Sequence, residues 1–156
     1  MVIATAAGVA PVSVLTVDDD EPSNCITSTL LKRWGYVVQQ YRNGPDALAW
    51  SKWHLPEAVL LDLAMPGMDG YEIARQMRRH PGWNDVSLIA LTCYGDSRSI
   101  RRSLEAGFDV HVTKPVPPQA LHELLDHTRL GRSAVRACAA ELARRPGVLM
   151  STIGNR

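Results

Sequence analysis

The sequence predicts an α/β fold: a doubly wound, five-stranded parallel sheet with helices on both faces, followed by an extra C-terminal helix. Three observations carry this. Short apolar runs alternate five times with stretches of helical spacing, and strands separated by helices favour a parallel sheet. One run, Val59-Leu60-Leu61-Asp62, is apolar up to a single carboxylate and is broken at once by Pro66 and Gly67, as expected of a buried parallel strand. With 156 residues, 46% apolar and 21% charged, the chain is long enough for one domain with a sizeable core.

The elements follow in order. Residues 12–17 form a β-branched run that ends in Asp18-Asp19-Asp20-Glu21. Pro22 and Ser23 open a helix with Ile26, Leu30 and Trp34 at i, i+4, i+8, and Gly35 fits its stop. Residues 36–41 make a short strand. Asn43-Gly44-Pro45 turns the chain into a helix reaching about Trp53, and the Asp62 strand follows. A helix over about 71–79 ends before Pro81-Gly82. Residues 86–92 form the fourth strand, Asp96 or Ser97 caps a helix carrying Ile100 and Leu104, and Gly107 ends it. Residues 110–113 are the fifth strand, closed by Lys114-Pro115. Pro117-Pro118 leads into a helix with Leu121, Leu124 and Leu125. Residues 133–145 predict the extra helix, with Val135, Cys138 and Leu142 as a thin apolar stripe. The expected division is a flexible arm over 1–11, a body over 12–130 and a partly helical extension over 131–156.

Composition narrows the function classes. Cys25, Cys93 and Cys138 are odd in number and lack metal-site spacing, which suits a reducing cytoplasm. No segment reaches transmembrane length, so no membrane insertion is expected. The net charge of +1 hides a −4 body over 1–128 and a +5 tail over 129–156, a hint that the tail meets a partner.

The chemistry-bearing residues fall at strand ends. The first strand ends in acids, the third in Asp62, the fourth in Thr92 and the fifth in Lys114, all on the edge where open α/β sheets bind ligands. Carboxylates gathered there raise one another's pKa. A hard dication with oxygen ligands relieves the repulsion. A hydroxyl and an ammonium complete a site suited to a phosphoryl group, with a carboxylate as nucleophile.

Residues 12–127 resemble the receiver domain of bacterial two-component response regulators. The resemblance rests on Val17-Asp18-Asp19, on Asp62 with Met65-Pro66-Gly67-Met68-Asp69-Gly70, on Ala90-Leu91-Thr92 and on Lys114-Pro115, with spacings of 43, 30 and 22 residues from Asp19 through Asp62 and Thr92 to Lys114. Pro81-Gly82-Trp83 and Ala106-Gly107-Phe108-Asp109 are similar to receivers of hybrid sensor histidine kinases. The resemblance implies a flavodoxin-like fold and a phosphoryl group accepted on Asp62 from a histidine kinase or histidine phosphotransfer protein. It implies Mg2+ held by Asp19, Asp62 and the Ala64 carbonyl, with Asp18 acting through water. Lys114 would pair with Asp62 and then with the phosphoryl oxygens, Thr92 would donate its hydroxyl, and the bond to Pro115 would be cis.

Two positions depart from the family pattern. His111 stands where Tyr or Phe often rotates, and Cys93 where a small residue follows the switch hydroxyl. An imidazole predicts a shallower switch, sensitive to pH between roughly 6 and 7 if its pKa is ordinary.

The chain is expected to signal by protein contact or phosphorelay rather than act as a conventional enzyme. Its downstream target is an unknown protein, and no nucleic-acid binding is expected, since too few residues follow the body for an output domain. A rival reading is a small phosphatase or phosphotransferase using an aspartyl-phosphate, but Ala64 stands where that chemistry needs a general acid. A scaffold that never takes up phosphate is the other rival. His122 and His127 are five residues apart, not the four a zinc-protease helix needs, and are expected to face solvent. Cys25 is expected to be a buried thiol, His111 a partly buried strand residue, and Trp34, Trp50 and Trp53 packing residues.

Overall fold

The computed structural model describes residues 9–153. Strands β1 (Ser13–Val17), β2 (Val37–Tyr41), β3 (Ala58–Leu61), β4 (Ser87–Thr92), β5 (Val110–Thr113) and β6 (Met150–Thr152) form one sheet in the order β2-β1-β3-β4-β5-β6. The first five are parallel. Helices α1 (Glu21–Arg33), α5 (Pro118–Asp126) and α6 (Arg132–Leu142) cover one face, and α2 (Gly44–Ser51), α3 (Gly70–Arg78) and α4 (Ser97–Ala106) the other.

Strand pleating sorts the core into two layers. Val14, Leu60, Ile89, Leu91, Val110 and Val112 face α1, α5 and α6. Leu15, Val17, Val59, Leu61, Leu88 and Ala90 face α2 and α3. β3 and β4 are buried along their whole length, which is why they read as unbroken apolar runs.

The doubly wound expectation holds, with one correction. The sheet has a sixth strand, and β6 runs antiparallel to β5, pairing His111 with Ser151. Backbone bonding places it: the Thr113 amide donates to the Leu149 carbonyl at 2.9 Å, and Thr152 Oγ1 donates to the Asp109 carbonyl at 2.7 Å. β6 thus satisfies an otherwise open strand edge. A three-residue strand is too short to leave a periodic signal.

Several faces also differ. α1 buries Asn24, Ser28 and Leu31, and Ile26 is 70% exposed; Cys25 is exposed as well. The helix is turned by its amide, because the Asn24 carboxamide serves the strand ends below it. α6 buries Val135, Ala139 and Leu142, with Cys138 only half-buried. Trp34 stacks on His122 at 4.4 Å, and Trp50 stacks on His54 at 4.5 Å. Trp53 is 84% exposed and packs against little. His122 is therefore a packing residue, and His127 is held by its Nδ1 contact to the Glu123 carbonyl at 2.7 Å.

The basic tail is largely spent inside the molecule. Asp109 is fully buried. Its carboxylate meets Arg78 Nη2 at 2.9 Å, Arg132 Nε at 2.8 Å and Arg136 Nε at 3.4 Å. Arg145 pairs with Glu123 at 2.9 Å. Residues 1–8 of the expected arm lie outside the described residues; Arg129 Nη2 donates to the Ala10 carbonyl. Among the described residues no helix is long and apolar enough to cross a membrane.

Candidate functional site

Strand register builds the site. Val17 stands opposite Leu61, Leu61 opposite Ala90, and Thr92 opposite Thr113. The next residues therefore emerge together at the C-terminal edge. The Asp62 amide donates to the Val17 carbonyl at 2.9 Å, and the Lys114 amide to the Thr92 carbonyl at 2.8 Å. One oxygen from each of Asp18, Asp19 and Asp62 lies within 4.8 Å of the others. That is a hard, all-oxygen donor set of the kind that suits a magnesium ion.

Two of the three carboxylates are held locally. Asp62 Oδ1 accepts from the Ala64 amide at 3.2 Å, and Asp18 Oδ1 accepts from the Asp20 amide at 3.0 Å. Burial pushes the Asp62 pKa up, with the Asp18 charge adding to the rise, while the Ala64 amide and Lys114 pull it back.

The ammonium departs from expectation. Lys114 Nζ pairs with Asp18 Oδ2 at 3.3 Å and reaches Ser23 Oγ at 3.5 Å, rather than bonding Asp62. Two neighbouring acids compete for one cation. Each accepts one backbone amide, Asp62 from Ala64 and Asp18 from Asp20, and the ammonium rests on Asp18.

Thr92 is fully buried, and its Oγ1 accepts from the Tyr94 amide at 3.3 Å. That bond leaves the hydroxyl proton free to be donated. Cys93 beside it is exposed. The Lys114–Pro115 peptide is cis. His111 is fully rather than partly buried. It is already turned inward, with Nε2 donating to the Tyr94 carbonyl at 2.7 Å and Nδ1 lying 2.9 Å from Ser103 Oγ. Burial lowers its pKa, against the Tyr94 carbonyl and the Asp96 charge, so the pH window lies below that of an ordinary imidazole.

Asn24 escaped sequence reasoning, and Gly70 stood in the motif after Asp62 without a positioning role. Asn24 is buried, accepts from Thr16 Oγ1 at 2.7 Å, and donates to the Asp18 carbonyl at 3.2 Å and the Tyr41 carbonyl at 2.9 Å. It fixes the acidic turn to β1 and β2. The signal was a polar side chain seven residues before Leu31, on the same helical face. Gly70 opens α3 directly over the Asp62 loop. A Cβ there would overlap the Asp62 carbonyl oxygen and lie 2.9 Å from Leu63 Cα.

Residues 14–126 match the family model of the response regulator receiver domain. The chain belongs to this family. It is 34% identical over 116 residues to an uncharacterized 14.6 kDa protein in the sodA1 3' region of Leptolyngbya boryana, covering 74% of this chain and 88% of that one. Other curated relatives are longer, and the chain spans 29% to 48% of their length. Among solved structures, the receiver resembles a putative response regulator from Chloroflexus aurantiacus J-10-fl (TM-score 0.72, 31% identity, 76% of this chain and 98% of that one). It also resembles the receiver domain of sensor histidine kinase PA1611 from Pseudomonas aeruginosa PAO1, at TM-score 0.70 and 26% identity, covering 76% of this chain and 97% of that one. That structure has a magnesium ion coordinated in its active site cleft.

Proposed function

We propose that Asp62 accepts a phosphoryl group from the phosphohistidine of a histidine kinase or a histidine phosphotransfer protein. The receiver then signals in the cytoplasm by protein contact, or by relay to another histidine. The observation that carries this is the convergence of three carboxylates with Thr92 and Lys114 on one sheet edge. The curated relatives include the Pseudomonas aeruginosa phosphate regulon transcriptional regulatory protein PhoB, and a signalling role for a receiver agrees with them.

In the transfer, an Asp62 carboxylate oxygen forms a bond to phosphorus as the phosphorus–nitrogen bond of the donor breaks. The bonding pair returns to the donor imidazole, which takes a proton from water. The raised pKa of Asp62 makes its carboxylate more basic than a surface one, and its Oδ1 stays oriented by the Ala64 amide. Lys114 leaves Asp18 for a phosphoryl oxygen, and the unspent Thr92 proton is donated to another. Asp18, Asp19, Asp62 and the Ala64 carbonyl would hold Mg2+, which supplies neutralisation of the charge on the transferred group.

The test is intact-mass spectrometry after incubation with a purified histidine kinase or a small phosphoramidate donor. Wild type gains one phosphoryl group with magnesium present and none in excess chelator. Asp62→Asn gains none. Full phosphorylation of Asp62→Asn rejects the assignment, and undiminished uptake in chelator rejects the metal's part in it.

A further inference from the structure

Lys114 stands between two acids that are otherwise evenly served. Asp18 accepts one backbone amide at 3.0 Å and Asp62 one at 3.2 Å, yet the ammonium lies 3.3 Å from Asp18. The amides do not account for that preference. The further acceptor that the described residues offer the ammonium is a hydroxyl: Ser23 Oγ lies 3.5 Å from Nζ. Ser23 is half-buried on the first turn of α1, and that turn is fixed to the Asp18 side of the site. The Ser23 amide donates to Asp20 Oδ2 at 3.1 Å, the Asn24 amide to the Asp20 carbonyl at 2.9 Å, and the Asn24 carboxamide to the Asp18 carbonyl at 3.2 Å. Serine near a helix start commonly caps it. Here Asp20 is the cap, and among the described residues Ser23 Oγ has no other hydrogen bond. The helix therefore does not use this hydroxyl.

We infer that Ser23 is a positioning residue for Lys114: with Asp18, its hydroxyl holds the ammonium off Asp62 until a phosphoryl group draws it away. The inference rests on Asp62 as the phosphoryl acceptor. An ammonium has three donors and no acceptor, so two acceptors on one side hold it better than one on the other. Asp18 and Ser23 belong to one braced segment, whereas Asp62 follows β3. The Lys114 and Asp18 side chains are 24% and 12% exposed, so water screens this contact less than a surface pair. The consequence for rate has a definite sign. Ser23 stabilises the resting position of the ammonium and not its position on the phosphoryl group. A contact made only in the ground state raises the barrier. Ser23 thus slows phosphoryl uptake while leaving the phosphorylated state untouched.

The chain has only three lysines, Lys32, Lys52 and Lys114, so lysine labelled with 15N at ζ gives three ammonium signals, assigned by replacing each residue with arginine. In the unphosphorylated full chain, the Lys114 ammonium is expected to exchange with water more slowly than those of Lys32 and Lys52, both exposed. Ser23→Ala should speed that exchange and Ser23→Thr, which keeps the hydroxyl, should restore it. Thr29→Val, which deletes an exposed hydroxyl from the same helix, should leave it unchanged. Uptake from a small phosphoramidate donor with magnesium is then followed by intact mass. Ser23→Ala should take up phosphate about two- to tenfold faster, with the lifetime of the phosphorylated form unchanged. Damage to the fold would instead slow uptake. A Lys114 signal indifferent to Ser23→Ala, or slower uptake by that variant, overturns the inference. If neither wild type nor variant takes up phosphate, the assignment of Asp62 fails, and the ammonium signals by themselves decide whether Ser23 holds Lys114.

Discussion

His111 shows how burial changes what a titratable residue contributes. In the fold its neutral form is favoured, with Nε2 donating to the Tyr94 carbonyl and Nδ1 lying against the Ser103 hydroxyl. Because its pKa is lowered from 6.5, the unfolded chain takes up the proton first as pH falls. Stability is therefore lost progressively below pH 6.5, until the folded imidazole also protonates. His111→Gln should flatten this acid limb in urea denaturation measured across a pH series, and parallel profiles would remove His111 as the cause. Asp62 has the opposite sign. Its pKa is raised, so its protonated form stabilises the fold at low pH, and that contribution disappears as pH rises through the raised value. At neutral pH the ionised side chain is a cost. Asp62→Asn keeps an acceptor for the Ala64 amide, and its Tm at pH 7 should exceed that of wild type, with the advantage shrinking in acid. A lower Tm for the variant at pH 7 would contradict the burial argument.

At the scale of elements, the site is positioned by where helices begin. Asp20 caps α1, Asp69 caps α3 and Asp96 caps α4, each accepting from the amide three residues on, which satisfies amides that no helical carbonyl can reach. α3 can start where it does only because residue 70 lacks a Cβ, since the helix rests on the Asp62 carbonyl. Gly70→Ala must move either the helix or the loop, at a cost of about 1–3 kcal/mol by analogy with overpacked cores. Because the displaced group is the Asp62 backbone, phosphoryl uptake should slow together with the drop in urea midpoint. A variant with wild-type stability and uptake would show that the contact is slack.

Across the whole molecule, Asp109 ties distant segments together at the edge opposite the acids. It gathers Arg78 from α3 and Arg132 and Arg136 from α6, and also accepts from the Leu88 amide of β4 at 3.0 Å. Arg78 in turn donates to the Gly107, Trp83 and Val86 carbonyls, and burial pushes its pKa down to about 10. Asp109→Ala strands this guanidinium without its counter-charge, which typically costs about 3–5 kcal/mol. Chemical denaturation should register that loss, and amide hydrogen exchange should rise across α6 and β6 first. Arg132→Gln leaves Asp109 its bonds to Arg78 and Arg136 and should cost less than Asp109→Ala. Comparable losses in the two variants would mean that the carboxylate is not the hub.

By itself the sequence determined the doubly wound sheet and the edge on which Asp18, Asp19, Asp62, Thr92 and Lys114 emerge. Apolar runs, breakers and strand-end position are local properties, and parallel register brings successive strand ends together without further information. Only the tertiary structure decided the rest. Lys114 stands between two acids, and which one it pairs with depends on distances that no spacing encodes. Ile26 is as apolar as Leu31, but Asn24 must reach the Asp18 and Tyr41 carbonyls, and its hydrogen bonds orient α1. Arg132 and Arg136 of the tail looked free as a charge balance and proved to be partners of Asp109, which lies 23 residues before Arg132. β6 exists because β5 offers an open edge, a property of the neighbouring strand rather than of residues 150–152.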